Sequence, residues 1–387
     1  MKKRVINYYL TLALLVSISF QLSFFGLDKI VYSLMKQVIF IIIGIIFIFN
    51  LSSIFKFGAK QVFIARLGIL LVVQLFLVAL LSLIRSEFFL PGVLDVVMVL
   101  SVILTFSVVK FEDSELQKIS SVFLFLAAIS SATILFGYEF NFQILDEYLP
   151  VPKNQLAPFY GVAFVIGVYN FKRQNGYFKL FHLMLLTVLG LGLLFIRGRA
   201  ALVATFLCLM IFNLFFVRER RYRYIGLGLF IVAVYLLSSL LFDVFTANYD
   251  VNDVDSLSAN RLGDYISAID IILKNPFVGS ALSVEVPYLP HNYLVYSLMN
   301  YGVLFGWPLL IIYLMIFIKC FRVIINNKNE IWQSGILLVV LMYIVSLLEY
   351  SYPYSPGSAT MFGFIMFGQY LRRSIAQQEK NKIIRFG

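Results

Sequence analysis

Charged residues are scarce in this sequence. Asp, Glu, Lys and Arg make up only 13% of its 387 residues, whereas 61% are hydrophobic and 17% aromatic. Soluble domains carry roughly 25% charged residues. A soluble chain of this composition would expose more apolar surface than monomeric proteins tolerate. We therefore predict an all-α, polytopic integral membrane protein that forms one transmembrane domain over residues 1–387.

Cysteine and histidine are also rare. Cys208 lies inside an apolar run and Cys320 at the end of another, so we expect no disulfide between them. Two histidines, His182 and His291, are too few for a histidine-based metal centre, and no zinc motif is present. The sequence also lacks a P-loop, a dinucleotide fingerprint and a kinase signature. We predict no metal and no cofactor, so any chemistry must use an energised substrate.

The net charge of +11 might suggest nucleic acid as a partner. The basic residues, however, are scattered between apolar runs and do not form one basic domain. Short cytoplasmic loops of membrane proteins are enriched in Lys and Arg. The positive charge therefore indicates membrane orientation, and we expect no nucleic-acid partner.

Apolar segments long enough to cross a bilayer recur along the chain. A span needs about twenty such residues. The basic stretch at residues 2–4 and the apolar residues after it resemble a secretory signal, but no cleavage site follows, so we interpret them as a retained helix. We predict about twelve transmembrane helices, at 6–25, 31–51, 62–84, 90–109, 116–138, 156–171, 178–196, 200–217, 224–245, 292–318, 331–352 and 356–371.

The connections between these segments alternate in charge. If the N-terminus is cytoplasmic, 22 of the 31 Lys and Arg residues fall on the cytoplasmic side and seven on the outer side. This bias predicts cytoplasmic N- and C-termini. Acids collect at the outer helix ends, namely Asp95, Asp243 and Glu349. Ionisable groups at membrane depth are candidate functional residues, although we favour a role in pairing with other side chains and holding helices together.

One outer connection, residues 246–291, is much longer than the others. Between Arg261 and Lys274 its apolar residues recur at helical spacing, and Asn275-Pro276 ends the pattern. We predict an amphipathic helix that lies along the membrane surface. A long loop in an otherwise economical chain is commonly functional.

Three short motifs are predicted to lie on the outer side. Arg197 and Arg199 flank a glycine in a tight turn, Arg261 begins the amphipathic helix, and His291 precedes Asn292 where the loop re-enters the membrane. Arginine presents a planar fork of donors that suits phosphate, and histidine can accept a proton near neutral pH. These residues could hold a phosphorylated, lipid-linked substrate and activate a hydroxyl group. They could equally cap a helix or bind lipid headgroups, so the residues alone leave both enzyme and transporter open.

The order and spacing of the motifs resemble the O-antigen polymerase and O-antigen ligase superfamily over roughly residues 150–320. Residues 198–203 resemble its Ser-Arg-Gly-Ala-Leu-Leu stretch, with Gly for Ser and Ala for Gly, so either Arg197 or Arg199 could take the family role. Asn154 begins a stretch similar to Asn-x-x-Ala. Arg261 to Tyr265, then 276–279, is similar to Arg-x-x-x-Trp followed by Pro-Leu-x-Gly, with Tyr in place of Trp. Residues 291–294, with Gly302 and Gly306 after them, match His-Asn-x-Leu and the trailing Gly-x-x-x-Gly.

The resemblance implies a metal-independent glycosyltransferase of the GT-C type. Its donor would be an undecaprenyl-pyrophosphate-linked oligosaccharide, whose leaving group supplies the energy. By this resemblance Arg199, with Arg197, and Arg261 would neutralise the pyrophosphate, and His291 would be the general base. Asn292, Asn154 and Tyr265 would contact substrate or orient the histidine.

Three functions remain open at this point. The first is polymerisation of lipid-linked repeat units into O-antigen, capsule or exopolysaccharide, with a flippase and a chain-length regulator as possible pathway partners. The second is an O-antigen ligase, which transfers the finished glycan to lipopolysaccharide core or another acceptor. The third, of a different class, is a transporter of lipid-linked oligosaccharide.

Overall fold

The computed structural model describes most of the chain. The described residues are 2–23, 29–58, 61–85, 93–138, 153–171, 176–217, 219–236, 238, 242, 261–280, 290–325, 333–349, 352–354 and 358–386. Of these, 91% are helical and none lies in a strand. Asp243 and residues 246–260 and 281–289 of the predicted outer loop lie outside them.

Thirteen α-helices occur in the described part of the chain. They are α1 (Lys2–Ser23), α2 (Lys29–Gly58), α3 (Val62–Arg85), α4 (Val93–Val108), α5 (Asp113–Gly137), α6 (Lys153–Phe171), α7 (Gly176–Phe195), α8 (Arg199–Ile211), α9 (Arg220–Leu236), α10 (Arg261–Lys274), α11 (Tyr293–Ile325), α12 (Gln333–Ser346) and α13 (Ser358–Phe386). A short π-helix, Phe212–Phe216, extends α8. Every predicted apolar segment overlaps a helix, and α10 coincides with the predicted amphipathic helix.

Among the residues that the structure describes, six helices are long and apolar enough to cross a membrane, by length and composition. Two further apolar helices, Val93–Val108 and Ser334–Ser346, are shorter. The all-helical membrane-protein class is therefore supported. The six candidate spans are Gln37–Phe57, Val62–Ile84, Asp113–Gly137, Gly176–Phe195, Arg199–Phe216 and Tyr293–Ile325.

Burial distinguishes peripheral helices from central ones. On α2 and α3, large apolar side chains such as Ile48 and Leu83 point outward and are exposed. In α12, by contrast, every residue from 334 to 343 is buried. A helix that is apolar all round belongs in the interior of a bundle or of a membrane. The central α12 therefore packs against α6, α8, α11 and α13.

One end of the bundle is held by ion pairs around the start of α5. Arg4 contacts Glu112 at 2.6 Å and Glu115 at 3.1 Å, and Arg373 of α13 contacts Asp113 at 2.5 Å. Acids in a first helical turn complement the helix dipole. We call this the Arg4 end. The beginning of α1 and the middle of α13 both lie there.

The opposite end, which we call the Arg261 end, contains a break in α11. Gly302 has φ 58° and ψ −171°, far from helical values. The segment after α10 fills the break: the Ser280 amide donates to the Met299 carbonyl, and the amides of Val303 and Leu304 donate to the carbonyls of Pro276 and Phe277. The backbone groups freed by the break are thus satisfied by residues 276–280.

Candidate functional site at the Arg261 end

Arg261 and Glu349 form a desolvated ion pair. The Arg261 Nη2 atom lies 2.6 Å from Glu349 Oε1, and Nη1 donates to the Leu348 carbonyl at 2.7 Å. The Glu349 side chain is only 5% exposed, and that of Arg261 19%. Short, charge-assisted contacts of this kind are about twice as strong as neutral hydrogen bonds. The pair joins the first residue of α10 to the end of α12.

His291 lies between two carboxylates. Its Nδ1 atom is 3.4 Å from Glu349 Oε2, and its Nε2 atom is 3.9 Å from Asp264 Oδ2. Asp264 follows Arg261 by three residues, so both project from one face of α10. Glu349 therefore contacts Arg261 through one oxygen and His291 through the other.

Tyr265 and Asn292 fix the backbone around His291. The Tyr265 hydroxyl donates to the His291 carbonyl at 2.9 Å and lies 3.2 Å from the Leu347 carbonyl. Burial raises the pKa of Tyr265, although Arg261 and Asn292 partly oppose this, so the hydroxyl stays a donor. The Asn292 Oδ1 atom accepts from the amides of Leu294 and Val295. Asn292 is thus the N-cap of α11.

Three predicted site residues, Arg261, Tyr265 and Asn292, also contact backbone carbonyls just after α12. The last carbonyls of a helix lack partners within it. In the turn directly after α12, the Leu347 carbonyl accepts from Asn292 Nδ2 and lies 3.2 Å from the Tyr265 hydroxyl, and the Leu348 carbonyl accepts from Arg261. These side chains therefore have a structural role in addition to the functional role predicted for them.

The Arg197–Arg199 turn lies between α7 and α8. Arg197 has a positive φ of 54°, which is uncommon outside glycine. A Cβ atom on the buried Gly198 would lie 2.1 Å from the Ala157 Cβ, so only glycine permits this approach to α6. Asn154 lies three residues before Ala157, on the same face of α6. The predicted Asn154 and arginine motifs are therefore neighbours.

Helix register brings this turn to the same end as His291. The Cys208 thiol of α8 donates to the Leu337 carbonyl of α12 at 3.5 Å. Gly161 approaches both Thr205, three residues before Cys208, and Leu341, four residues after Leu337, so α8 and α12 run in opposite directions. Arg199 and Ser346 therefore lie on the same side of the Cys208 contact, each about 13 Å from it along its helix axis. The same approach of Gly161 places the middle of α6 beside the middles of α8 and α12, so the beginning of α6, with Asn154, lies at the same end as Arg199. The structure thus gathers all seven predicted residues at one end of the bundle, in two groups.

The sequence predicts Glu349 to be an acid at an outer helix end that pairs with other side chains, but it does not predict which ones, and it does not single out Asp264. In the structure both contact His291. The available signal was the position of Glu349 at the end of an apolar run, since a carboxylate at such a depth requires a partner. Its partner Arg261 lies far away in the sequence, and the two meet only because α10 packs on α11 and its Arg261 and Tyr265 side chains reach residues 347–349.

Other features of the described residues do not extend this site. No group of three or more His, Cys, Asp or Glu side chains that could hold a metal ion is found in the part of the chain the structure describes. A cavity of about 1030 Å³ opens at the Arg4 end between α6, α8 and α9. It contains none of the predicted site residues and is lined by residues such as Val168, Lys179, Asn213 and Phe230.

No protein-family model and no curated protein sequence matches this chain.

Proposed function

We propose that this protein polymerises undecaprenyl-pyrophosphate-linked oligosaccharide repeat units into a longer glycan at the outer face of a bacterial cytoplasmic membrane. In this proposal all twelve apolar helices cross the membrane in a GT-C-like arrangement. Both termini are cytoplasmic, as is the Arg4 end, and the Arg261 end faces outward. The bias of Lys and Arg between the connections supports this orientation.

The observation that carries the proposal is the placement of His291. It lies against Glu349 and Asp264, beside Arg261, at the end of the bundle that also holds Arg197 and Arg199. A base oriented by a carboxylate beside several guanidinium groups suits a reaction in which a proton leaves an acceptor and an anion leaves a donor.

The reaction would be a single substitution at the anomeric carbon of the donor sugar. An acceptor hydroxyl oxygen forms the new glycosidic bond, and the bond from the anomeric carbon to the pyrophosphate oxygen breaks. If the Nδ1–H of His291 donates to Glu349, Nε2 carries the lone pair that takes the hydroxyl proton. Arg261 and the Arg197–Arg199 turn would neutralise the lipid pyrophosphate that leaves. Asn154 would contact the substrate beside the turn.

The test is a reconstitution with a single substrate. The protein is placed in lipid nanodiscs with only the lipid-pyrophosphate-linked repeat unit, and the products are separated on a gel beside those of His291→Ala and of Lys274→Ala. Lys274 is an exposed residue at the end of α10, the helix that begins with Arg261, and serves as the control. We expect a ladder from the wild type and from Lys274→Ala, reduced about 10²–10⁴-fold in rate by His291→Ala.

Two other outcomes would overturn the proposal. Transfer that appears only after a separate acceptor, such as lipopolysaccharide core, is added would indicate the ligase. No product under either condition, with movement of the lipid-linked oligosaccharide across a vesicle membrane, would indicate the transporter.

A further inference from the structure

Glu349 contacts both Arg261 and His291. Its Oε1 atom lies 2.6 Å from the Arg261 guanidinium, and its Oε2 atom lies 3.4 Å from His291 Nδ1. The side chain is 5% exposed, so water screens neither contact strongly. A change at Arg261 is therefore transmitted to His291 through one carboxylate.

Arg261 uses both terminal nitrogens of its guanidinium within the protein. One contacts Glu349 and the other donates to the Leu348 carbonyl. A phosphate group seeks the same fork of donors as a carboxylate. A pyrophosphate that takes the Nη2 donor and the positive charge now paired with Glu349 competes with this carboxylate for Arg261, and part of its binding free energy is used to separate the ion pair.

We propose that Glu349 is a positioning residue that a pyrophosphate-bearing ligand displaces from Arg261, while its carboxylate remains hydrogen-bonded to His291. In the resting protein, Glu349 holds the guanidinium in place and closes the anion site. In the bound protein, Arg261 contacts the pyrophosphate, and the carboxylate serves only the histidine. The exchange thus couples donor binding to the orientation of the base.

This inference rests on the proposed function for its ligand class. It predicts that Glu349→Gln changes ligand affinity and turnover in opposite directions. Glu349→Gln removes the competitor of the ligand, so binding becomes tighter, but it also removes the charged partner of His291, so turnover falls. A merely structural Glu349 would weaken both when replaced.

The binding experiment uses farnesyl pyrophosphate, which carries no sugar, and the full-length protein in nanodiscs. Its dissociation constant is measured for the wild type, Glu349→Gln, Arg261→Gln and the double variant. We expect Glu349→Gln to bind about tenfold more tightly than the wild type. This gain should vanish in the Arg261→Gln background, because the effect passes through Arg261.

Two further variants separate the exchange from simpler effects. Asp264→Asn removes the same charge from the same site, but its recorded contact is with His291, so it should change binding less than twofold. Glu349→Asp keeps the charge but shortens the side chain by one methylene, so it cannot hold both partners and should also bind more tightly. Glu349→Asp replaces Glu349→Gln in the binding experiment if the latter does not fold. Thermal melting shows whether each variant is folded.

The outcomes distinguish this inference from the proposed function. Unchanged or weaker binding in folded Glu349→Gln or Glu349→Asp, or equal tightening by Asp264→Asn, would refute the exchange even if the wild type makes polymer. Tighter binding that depends on Arg261, with no polymer from the wild type, would support the exchange and refute the polymerase.

Discussion

At the scale of single residues, the polar side chains of the site have two roles. Arg261, Tyr265 and Asn292 donate to Leu347, Leu348 or Glu349 at the end of α12, and they also surround His291. Substitution of any of them should therefore change stability, in addition to any effect on the proposed reaction. Experiments on this site need a measurement of folding beside each measurement of activity.

Arg261→Ala should destabilise the protein strongly. It leaves Glu349 buried without its ion-pair partner, and breaking such a pair costs about 3–5 kcal/mol. On the same helix, Lys274 and Asp270 form an exposed pair at 2.6 Å. Exposed pairs contribute roughly 0–1 kcal/mol, so Lys274→Ala should leave the stability nearly unchanged. Thermal unfolding in detergent would measure the stability of both variants. Similar melting temperatures for Arg261→Ala and Lys274→Ala would contradict the stabilising role of the Arg261–Glu349 pair.

The side chain of Asn292 makes two kinds of contact, which can be tested separately. Its oxygen caps α11, and its amide nitrogen donates to the Leu347 carbonyl. Asn292→Ala should cost about 1 kcal/mol or more, because α11 loses its N-cap and the Leu347 carbonyl loses a donor. Asn292→Ser keeps an oxygen that can accept from the first turn, so it should recover most of the cap. If the two variants melt alike, Asn292 does not stabilise α11 through its side-chain oxygen.

The sequence predicted the residues of the candidate site, and the structure places them at one end of the bundle, but no sequence motif predicted how they are connected. Each motif is local, and its residue types suggest phosphate binding and proton transfer. The bridge through Glu349 joins residues separated by more than fifty positions, and no local pattern predicts which of several acids pairs with Arg261.

At the scale of elements, the sequence predicted the bounds of α10 correctly and α11 only in part. Apolar periodicity and the following proline place both ends of α10 correctly. The prediction of one continuous helix over 292–318 was incomplete, because α11 is broken at Gly302. Hydropathy does not detect a break whose freed amides and carbonyls are satisfied by a distant segment.

The break depends on two glycines that approach each other. Gly279 and Gly302 both have φ near 58°, and a Cβ atom on Gly302 would lie 2.4 Å from the backbone of Phe277. Gly302→Ala should therefore cost about 3 kcal/mol or more, from backbone strain and steric overlap. Gly68→Ala is the control, because a Cβ there meets nothing within 4 Å in a regular helix, and alanine should be neutral or stabilising.

Melting temperatures and expression of folded protein would compare the two variants. A Gly302→Ala protein as stable as Gly68→Ala would mean that residues 276–280 do not occupy the break.

At the scale of the whole molecule, the helices were predictable because the bilayer imposes their length and requires apolar side chains. The arrangement of those helices was not. Which helix becomes central depends on small residues that allow close approach, such as Gly161 against Thr205 and Gly368 against the backbone of Phe106. These contacts can be recognised only when the positions of both helices are known.

The proposed orientation predicts which positions react with a membrane-impermeant maleimide. Tyr177 is 93% exposed at the start of α7, near the Arg4 end, and Lys274 is exposed on α10 at the Arg261 end. In spheroplasts, Lys274→Cys should be labelled directly and Tyr177→Cys only after permeabilisation. The native Cys208 and Cys320 are buried and should give little background. The reverse pattern would invert the topology.

The break in α11 also has a consequence for how the chain is made. The part from Val303 to Ile325 exceeds the roughly 20 residues that a span needs, so the insertion machinery can release it into the bilayer without the turns before Gly302. Those turns carry His291 and Asn292 at their beginning, and they are completed by residues 276–280, which leave the ribosome earlier. Insertion of the helix and assembly of the site can therefore be separate events during biogenesis. A nascent chain could be fully integrated in the membrane while His291 has yet to reach its place beside Glu349.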